Sequence, residues 1–336
     1  TGSPSTSVTG TGSGPTGVGS GSSTTTGEST TTTGMGGGSS ASTGMGGNVT
    51  SGGGGGGAGG AGGMMTGAGG AGGMPMPDAG TGGKTGRFRI LVLSTTLEFH
   101  HDSIPAGLQM LKDLGNLPDS EFTKIGASPG GWDVDSAGAD PASPTYFSEF
   151  TDANLAKYEM VYSDNPTGQV FTLAPNSAMH EMAFQNFMAN GGAWAGQHSA
   201  TDFENQSKFT WFQTNVDGAW FTQHDNDGTN GTIQWESTQA QHPILKGIPS
   251  PWNATDEWYK MSKDISAVPG FTVLGKVTVP NSTVDPNARP AVWIRDPPTG
   301  GRSFYTIRGH NIRVYAEPAF RQLMFQGILW ATHRLK

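Results

Sequence analysis

The first 86 residues contain no Phe, Trp or Tyr, and their only charges are Glu28, Asp78 and Lys84. Such a segment cannot bury enough apolar surface to offset the entropy of ordering it alone. Any hydrophobic core must therefore be built from residue 87 onward, where every aromatic side chain lies. This divides the chain into a low-complexity Gly/Ser/Thr tail, residues 1–86, and one domain, residues 87–336, long enough for a well-filled core. Within the tail, residues 52–74 read GGGGGGAGGAGGMMTGAGGAGGM. Two readings stay open. The repeat is a flexible linker, or it is an assembly segment whose bare backbone docks into neighbouring copies through main-chain hydrogen bonds.

A formal net charge of −8 without a basic stripe argues against a nucleic-acid partner. No apolar run approaches the roughly 20 residues needed to span a bilayer as a helix. The absence of cysteine removes disulfides, thiolate metal sites and a cysteine nucleophile together. The chain opens on Thr1, and a Thr/Ser/Gly-rich stalk fits an exported protein that is extracellular or held at the cell surface. Candidate glycan acceptors include the sequons at Asn48, Asn230 and Asn253 and the Thr-rich track from Thr24 to Thr33.

Residues 87–94, RFRILVLS, form a short continuous apolar run bounded by polar residues, which predicts a buried first strand of a parallel sheet. A polar loop follows, then Ile104, Leu108 and Leu111 at helical spacing, with Pro105 suited to a first turn and Gly115 to a stop. Residues 158–163 predict a second central strand. A helix over about 176–189 follows, with Met179, Met182, Ala183 and Phe187 as its apolar face and Gly191–Gly192 ending it. Residues 193–196 and 303–307 predict further strands. The last helix carries Phe320, Leu323, Met324, Gly327, Ile328 and Ala331 on one face. Strands alternating with helices imply an α/β fold with a doubly wound, mostly parallel sheet. Residues 233–302 are less regular and β-rich, and are expected to wall the site.

In such sheets ligands gather outside the carboxyl ends of the strands, where the polar residues of this chain also concentrate. His101 lies after the first strand, His198 and Asp202 after residues 193–196, and His310 after the last strand. His242, the run Asp256-Glu257-Trp258-Tyr259 and Arg302 complete the set. Imidazole serves as general base or as metal ligand. A carboxylate beside aromatic faces suits a sugar, so Glu257, Trp258 and Tyr259 read together as a carbohydrate-binding run. Arg302 either orients that carboxylate or forms a plain ion pair. His224 reads as an exposed residue of a polar loop. Three or four histidines with Asp202 or Glu257 would suffice for a divalent metal, although no HxH or HExxH spacing supports one.

Five segments resemble the ThuA-like (trehalose-utilisation-like) family, in family order. They are Phe99-His100-His101-Asp102-Ser103-Ile104; the glycine-lined turn from Gly191 to Asp202; His242-Pro243; Asp256-Glu257-Trp258-Tyr259; and Gly301-Arg302 with Gly309-His310. The resemblance spans about residues 87–333. It implies a flavodoxin-like sheet of the class I glutamine amidotransferase kind and a link to sugar metabolism, including oxidised (3-keto) glycosides. The amidotransferase nucleophile is a cysteine at a tight turn that here carries Gly196-Gln197-His198, so amide hydrolysis by a thiol is excluded. Arg308 stands where the family commonly has a small or apolar residue, which would narrow or cover a pocket. On this reading His198, His101, His310 and Glu257 carry acid–base chemistry, and Asp202, Trp258, Tyr259, Arg302 and His242 bind the substrate. Two other roles remain open: a carbohydrate-binding or structural surface protein without activity, and a filament or surface-layer subunit assembled through residues 1–86.

Overall fold

Strand β1 (Phe88–Leu93) keeps Ile90, Leu91, Val92 and Leu93 fully out of solvent. A strand covered on both faces is what a parallel sheet between two helical layers demands. The computed structural model describes residues 83–137, 147–204 and 209–336. The assembly role expected of residues 1–86 falls almost wholly outside the described residues.

The other strands are β2 (Trp132–Ala137), β3 (Met160–Asp164), β4 (Ala193–Gln197), β5 (Phe221–His224), β6 (Thr229–Trp235), β7 (Trp252–Asp256), β8 (Tyr259–Met261), β9 (Phe271–Thr278), β10 (Arg289–Arg295) and β11 (Ser303–Thr306). Nine of them form one sheet in the order β2-β1-β3-β4-β11-β10-β9-β6-β7, while β5 and β8 pair separately. The first five in that order run parallel. The rest continue antiparallel. Residues 233–302 thus do more than wall a site, because they nearly double the sheet. Only the stretch from Asp256 to Tyr259 turns into the polar centre.

Helix Ile104–Gly115 begins with Pro105 in its first turn and buries Met110, Leu111 and Leu114. The terminal helix Pro318–Ala331 buries all six residues expected of its face. Helix Ser177–Ala189 corrects the expectation for its apolar face: Met179 and Met182 are 51% and 62% exposed. The buried side is His180, Ala183, Phe184, Phe187 and Met188. Apolar residues occupy both sides of this helix, so spacing alone could not choose between them. Tertiary contacts do. Phe184 joins the ring cluster of Phe150 and Phe171, and His180 Nδ1 lies 2.8 Å from the Phe150 carbonyl.

The two ends of the domain are tied by Glu159, whose carboxylate takes a two-pronged bond from Arg334 at 2.8 and 2.9 Å and a contact from Lys84 at 3.1 Å. Burial acts to raise the Glu159 pKa, but these cations outweigh it and leave the group below its ordinary value. A depressed folded-state pKa gives stability that is present above the unfolded value and lost as pH falls through the folded one. Glu159→Gln should therefore cost about 1–2 kcal/mol at neutral pH, discounted for partial exposure. The gap to wild type should close as pH drops below the glutamate range. Urea titrations at pH 7 and pH 3 test this, and an equal gap at both would overturn it.

Candidate functional site

Strand β4 delivers His198 in a backbone conformation with φ of +45°, which side chains with a Cβ adopt only when their surroundings enforce it. The enforcement is visible. The neighbouring Gln197 side chain donates to Asp164 Oδ1 (2.7 Å) and to the Tyr315 hydroxyl (2.6 Å), and Tyr162 donates to its oxygen. The hydroxyl of Tyr305 donates to the His198 carbonyl. The imidazole Nδ1 is 3.2 Å from the Ile307 carbonyl. A carbonyl only accepts, so Nδ1 carries a proton, and it is then Nε2 that offers the lone pair whenever the ring is neutral.

The opposite wall is set by a fully buried ion pair. Asp256 closes β7 with its Oδ2 3.3 Å from Arg308 Nε. Its oxygens also accept the backbone N–H groups of Gly309 (3.1 Å), His310 (3.2 Å) and Glu257 (3.0 Å). Gly309 has φ of +130°, a conformation only glycine adopts readily. Arg308 does not enter the pocket, contrary to the expectation that it narrows or covers it. Its guanidinium forks onto Glu317 at 2.7 and 3.1 Å and lies 4.6 Å above the Trp252 ring, wholly buried behind the loop.

Between these walls His101, His198, His310 and Glu257 converge, each offering one nitrogen or oxygen within 4.8 Å of the others. Glu257 Oε2 is 3.3 Å from His198 Nε2 and 3.2 Å from His310 Nδ1, and those two nitrogens are 3.2 Å apart. Burial would raise Glu257, but the bonds to His198 and His310 hold it well below the carboxylate range. Burial would likewise lower His310, yet the adjacent Glu257 leaves it raised. His101, desolvated and facing two other histidines, is pushed down to about 2.

The remaining expected residues are placed as follows. Tyr259 lies with its ring 4.1 Å from that of His198, buried as a wall. Asp202 ends the turn His198–Thr201, and its carbonyl faces the Gly168 N–H at 3.4 Å; it does not belong to the four-residue cluster. Trp258 is fully buried and donates to the Thr229 carbonyl (2.7 Å). It packs on Gly231, where an added Cβ would come within 2.6 Å of the indole. It therefore offers no face to a ligand. Arg302 pairs bidentately with Asp296 at 2.8 and 3.1 Å and covers Trp330. It precedes β11 and sits at the strand's amino end, so the plain ion pair is its role. His242 meets the same Trp330 edge-on and accepts the Ile244 N–H, again outside the cluster.

Two contributors escaped the sequence reading. His224, half-exposed, places Nδ1 3.1 Å from Glu257 Oε1, because β5 pairs with β8 and sets His224 opposite Tyr259. Only that register reveals it. Phe99 is 63% exposed and stands at the mouth, its ring 4.8 Å from His101 and nearly parallel to His310 at 6.2 Å. A large exposed aromatic at a polar mouth is the signal that could have marked it. The cavity there measures about 170 Å³ and is lined by Phe99, His100, His101, Asp102, Ser103, His310, Asn311 and Ile312. It is small beside typical ligand pockets. A larger hollow of about 740 Å³ lies by Tyr158, Glu159 and Gly192, around the amino ends of β3 and β4, away from this chemistry.

Residues 89–331 match the family model described as ThuA, trehalose utilisation. The chain belongs to that family. A ThuA-like protein from Bacteroides uniformis shares the fold with a TM-score of 0.54 at 19% identity, covering 76% of this chain and 95% of its own. Another, from Parabacteroides merdae, gives 0.52 at 20% identity over 74% of this chain and 90% of its own. A search of curated protein sequences gave no match. Within this ThuA-family domain, Asp256→Asn removes the carboxylate charge that faces Arg308 Nε and accepts the loop amides, leaving Arg308 paired with Glu317 alone, and should cost about 1–3 kcal/mol. Chemical denaturation measures it; a loss below about 1 kcal/mol would show that the pair does not hold the loop.

Proposed function

We propose that the pocket at the strand ends binds a sugar or an oxidised (keto) sugar derivative and acts on it through its histidines and Glu257. The observation that carries this reading is the single carboxylate, Glu257, shared among His198, His310 and His224 directly behind the mouth. One carboxylate flanked by imidazoles can polarise a substrate oxygen and pass a proton across it, as abstraction beside a carbonyl requires. Phe99 supplies the flat apolar face that a sugar ring stacks on, the part Trp258 had been expected to play. Membership in a trehalose utilisation family supports the substrate class. The Thr/Ser/Gly composition of residues 1–86 supports a place outside the cell.

Turnover of a panel of disaccharides and their 3-keto derivatives by the full chain tests this. His198→Ala should lower kcat/KM by about 10²- to 10⁴-fold. Phe99→Ala should raise KM up to about tenfold with kcat little changed, the loss of one stacking contact. Equal turnover by wild type and His198→Ala would overturn the reading, as would no turnover of any member.

A further inference from the structure

His198 Nε2, His310 Nδ1 and Glu257 Oε2 form a nearly equilateral triangle with sides of 3.2, 3.2 and 3.3 Å. Proton bookkeeping leaves this triangle short of donors. In the neutral ring the one His198 proton is committed to the Ile307 carbonyl through Nδ1, so the Nε2 lone pair then faces the carboxylate. A proton on His310 Nδ1 can serve one neighbour along a straight bond, not both. Three electron-rich atoms therefore converge where one small cation would satisfy all of them. The spacing agrees, because a tetrahedron with metal–ligand bonds of about 2.0–2.1 Å has edges of about 3.3–3.4 Å. His101 stands over this face within 4.8 Å of each atom, with its Nδ1 3.4 Å from Ser199 Oγ.

The geometry points to a binding site for one divalent first-row cation of the zinc kind, held by His198 Nε2, His310 Nδ1 and Glu257 Oε2, with His101 as fourth ligand. The surroundings are those that orient ligands at metal centres. The His198 ring is fixed by a backbone carbonyl, and Glu257 Oε1 is held by His224 at 3.1 Å. Imidazole and carboxylate donors without thiolate suit zinc and its neighbours. The inference concerns the same residues as the sugar reading and refines their division of labour. His198 and His310 become ligands that help polarise a substrate oxygen, and His224 with Glu257 Oε1 remains at the edge to move a proton.

Zinc alone is the probe. The full chain, stripped with chelator and dialysed, is titrated calorimetrically with Zn²⁺, and bound metal is counted by elemental analysis. One equivalent with micromolar or tighter affinity is expected, together with a raised Tm and, for Co²⁺, the strong visible absorbance of a four-coordinate site. His198→Ala and Glu257→Gln should weaken binding at least about 100-fold. His310→Ala lies on a loop and decides the question should the buried variants fail to fold. His100→Ala, whose exposed ring bonds Thr96 instead, should bind as wild type does. Absence of binding, or equal affinity in wild type and folded His310→Ala, overturns the site. Sugar turnover in the same samples separates the two readings. Stoichiometric zinc without turnover sustains the site and sinks the sugar reading; turnover with no zinc bound does the reverse.

Discussion

The Asp256–Arg308 pair joins two parts of the chain that the sheet order keeps four strands apart, the end of β7 and the loop after β11. A long sheet coils as its strands twist, which lets its distant edge meet its middle. One carboxylate then fixes three consecutive requirements of the site: the Gly309 and His310 amides on one side and the Glu257 amide on the other. Two charges taken fully out of water are expensive unless every lone pair and proton is used. Here the terminal guanidinium nitrogens bond Glu317 and the Thr255 carbonyl and the plane lies over Trp252, while Nε has only the ion-pair contact with Asp256 and no hydrogen bond. The charge that is costly to bury is what makes the loop position specific.

The second constraint is the backbone at His198. A residue with a Cβ at positive φ persists only where neighbours over-determine it. The neighbours are polar and buried: Tyr162, Asp164, Gln197, Tyr315 and Asn165 form a connected network under the turn. Burial pushes the Asp164 carboxyl well above its ordinary value, against the pull of the Gln197 amide. The network is a rigid base for the imidazole and reaches the cavity wall through the bond from Asn165 to Ser103.

Around these two anchors the domain separates stability from chemistry. The apolar strands β1, β3 and β4 and the flanking helices supply the core, while every reactive group sits on a loop at the carboxyl ends of strands or on the small β5–β8 ribbon. The same division explains the residues that fell away from the site. Arg302 and His242 share Trp330 at the other end of the domain, and Trp258 fills the space a glycine leaves in β6.

The sequence by itself determined the buried strands, the terminal helix and the family, because these rest on local periodicity and short ordered motifs. It also marked His101, His198, His310 and Glu257, since strand-end loops are recognisable one at a time. It did not determine which face of helix Ser177–Ala189 packs inward, because apolar residues lie on both sides and only the ring cluster beside it chooses. Nor could it separate Tyr259, which lines the site, from Trp258 beside it, which does not. Trp258 lies in the connection between β7 and β8, whereas Tyr259 opens β8 and is placed by the pairing of that strand with β5. His224 and Arg308 make the same point from opposite directions. One enters the site through the pairing of β5 with β8, and the other leaves it for an acid on β7. Both outcomes depend on contacts between distant segments, which only the tertiary structure decides.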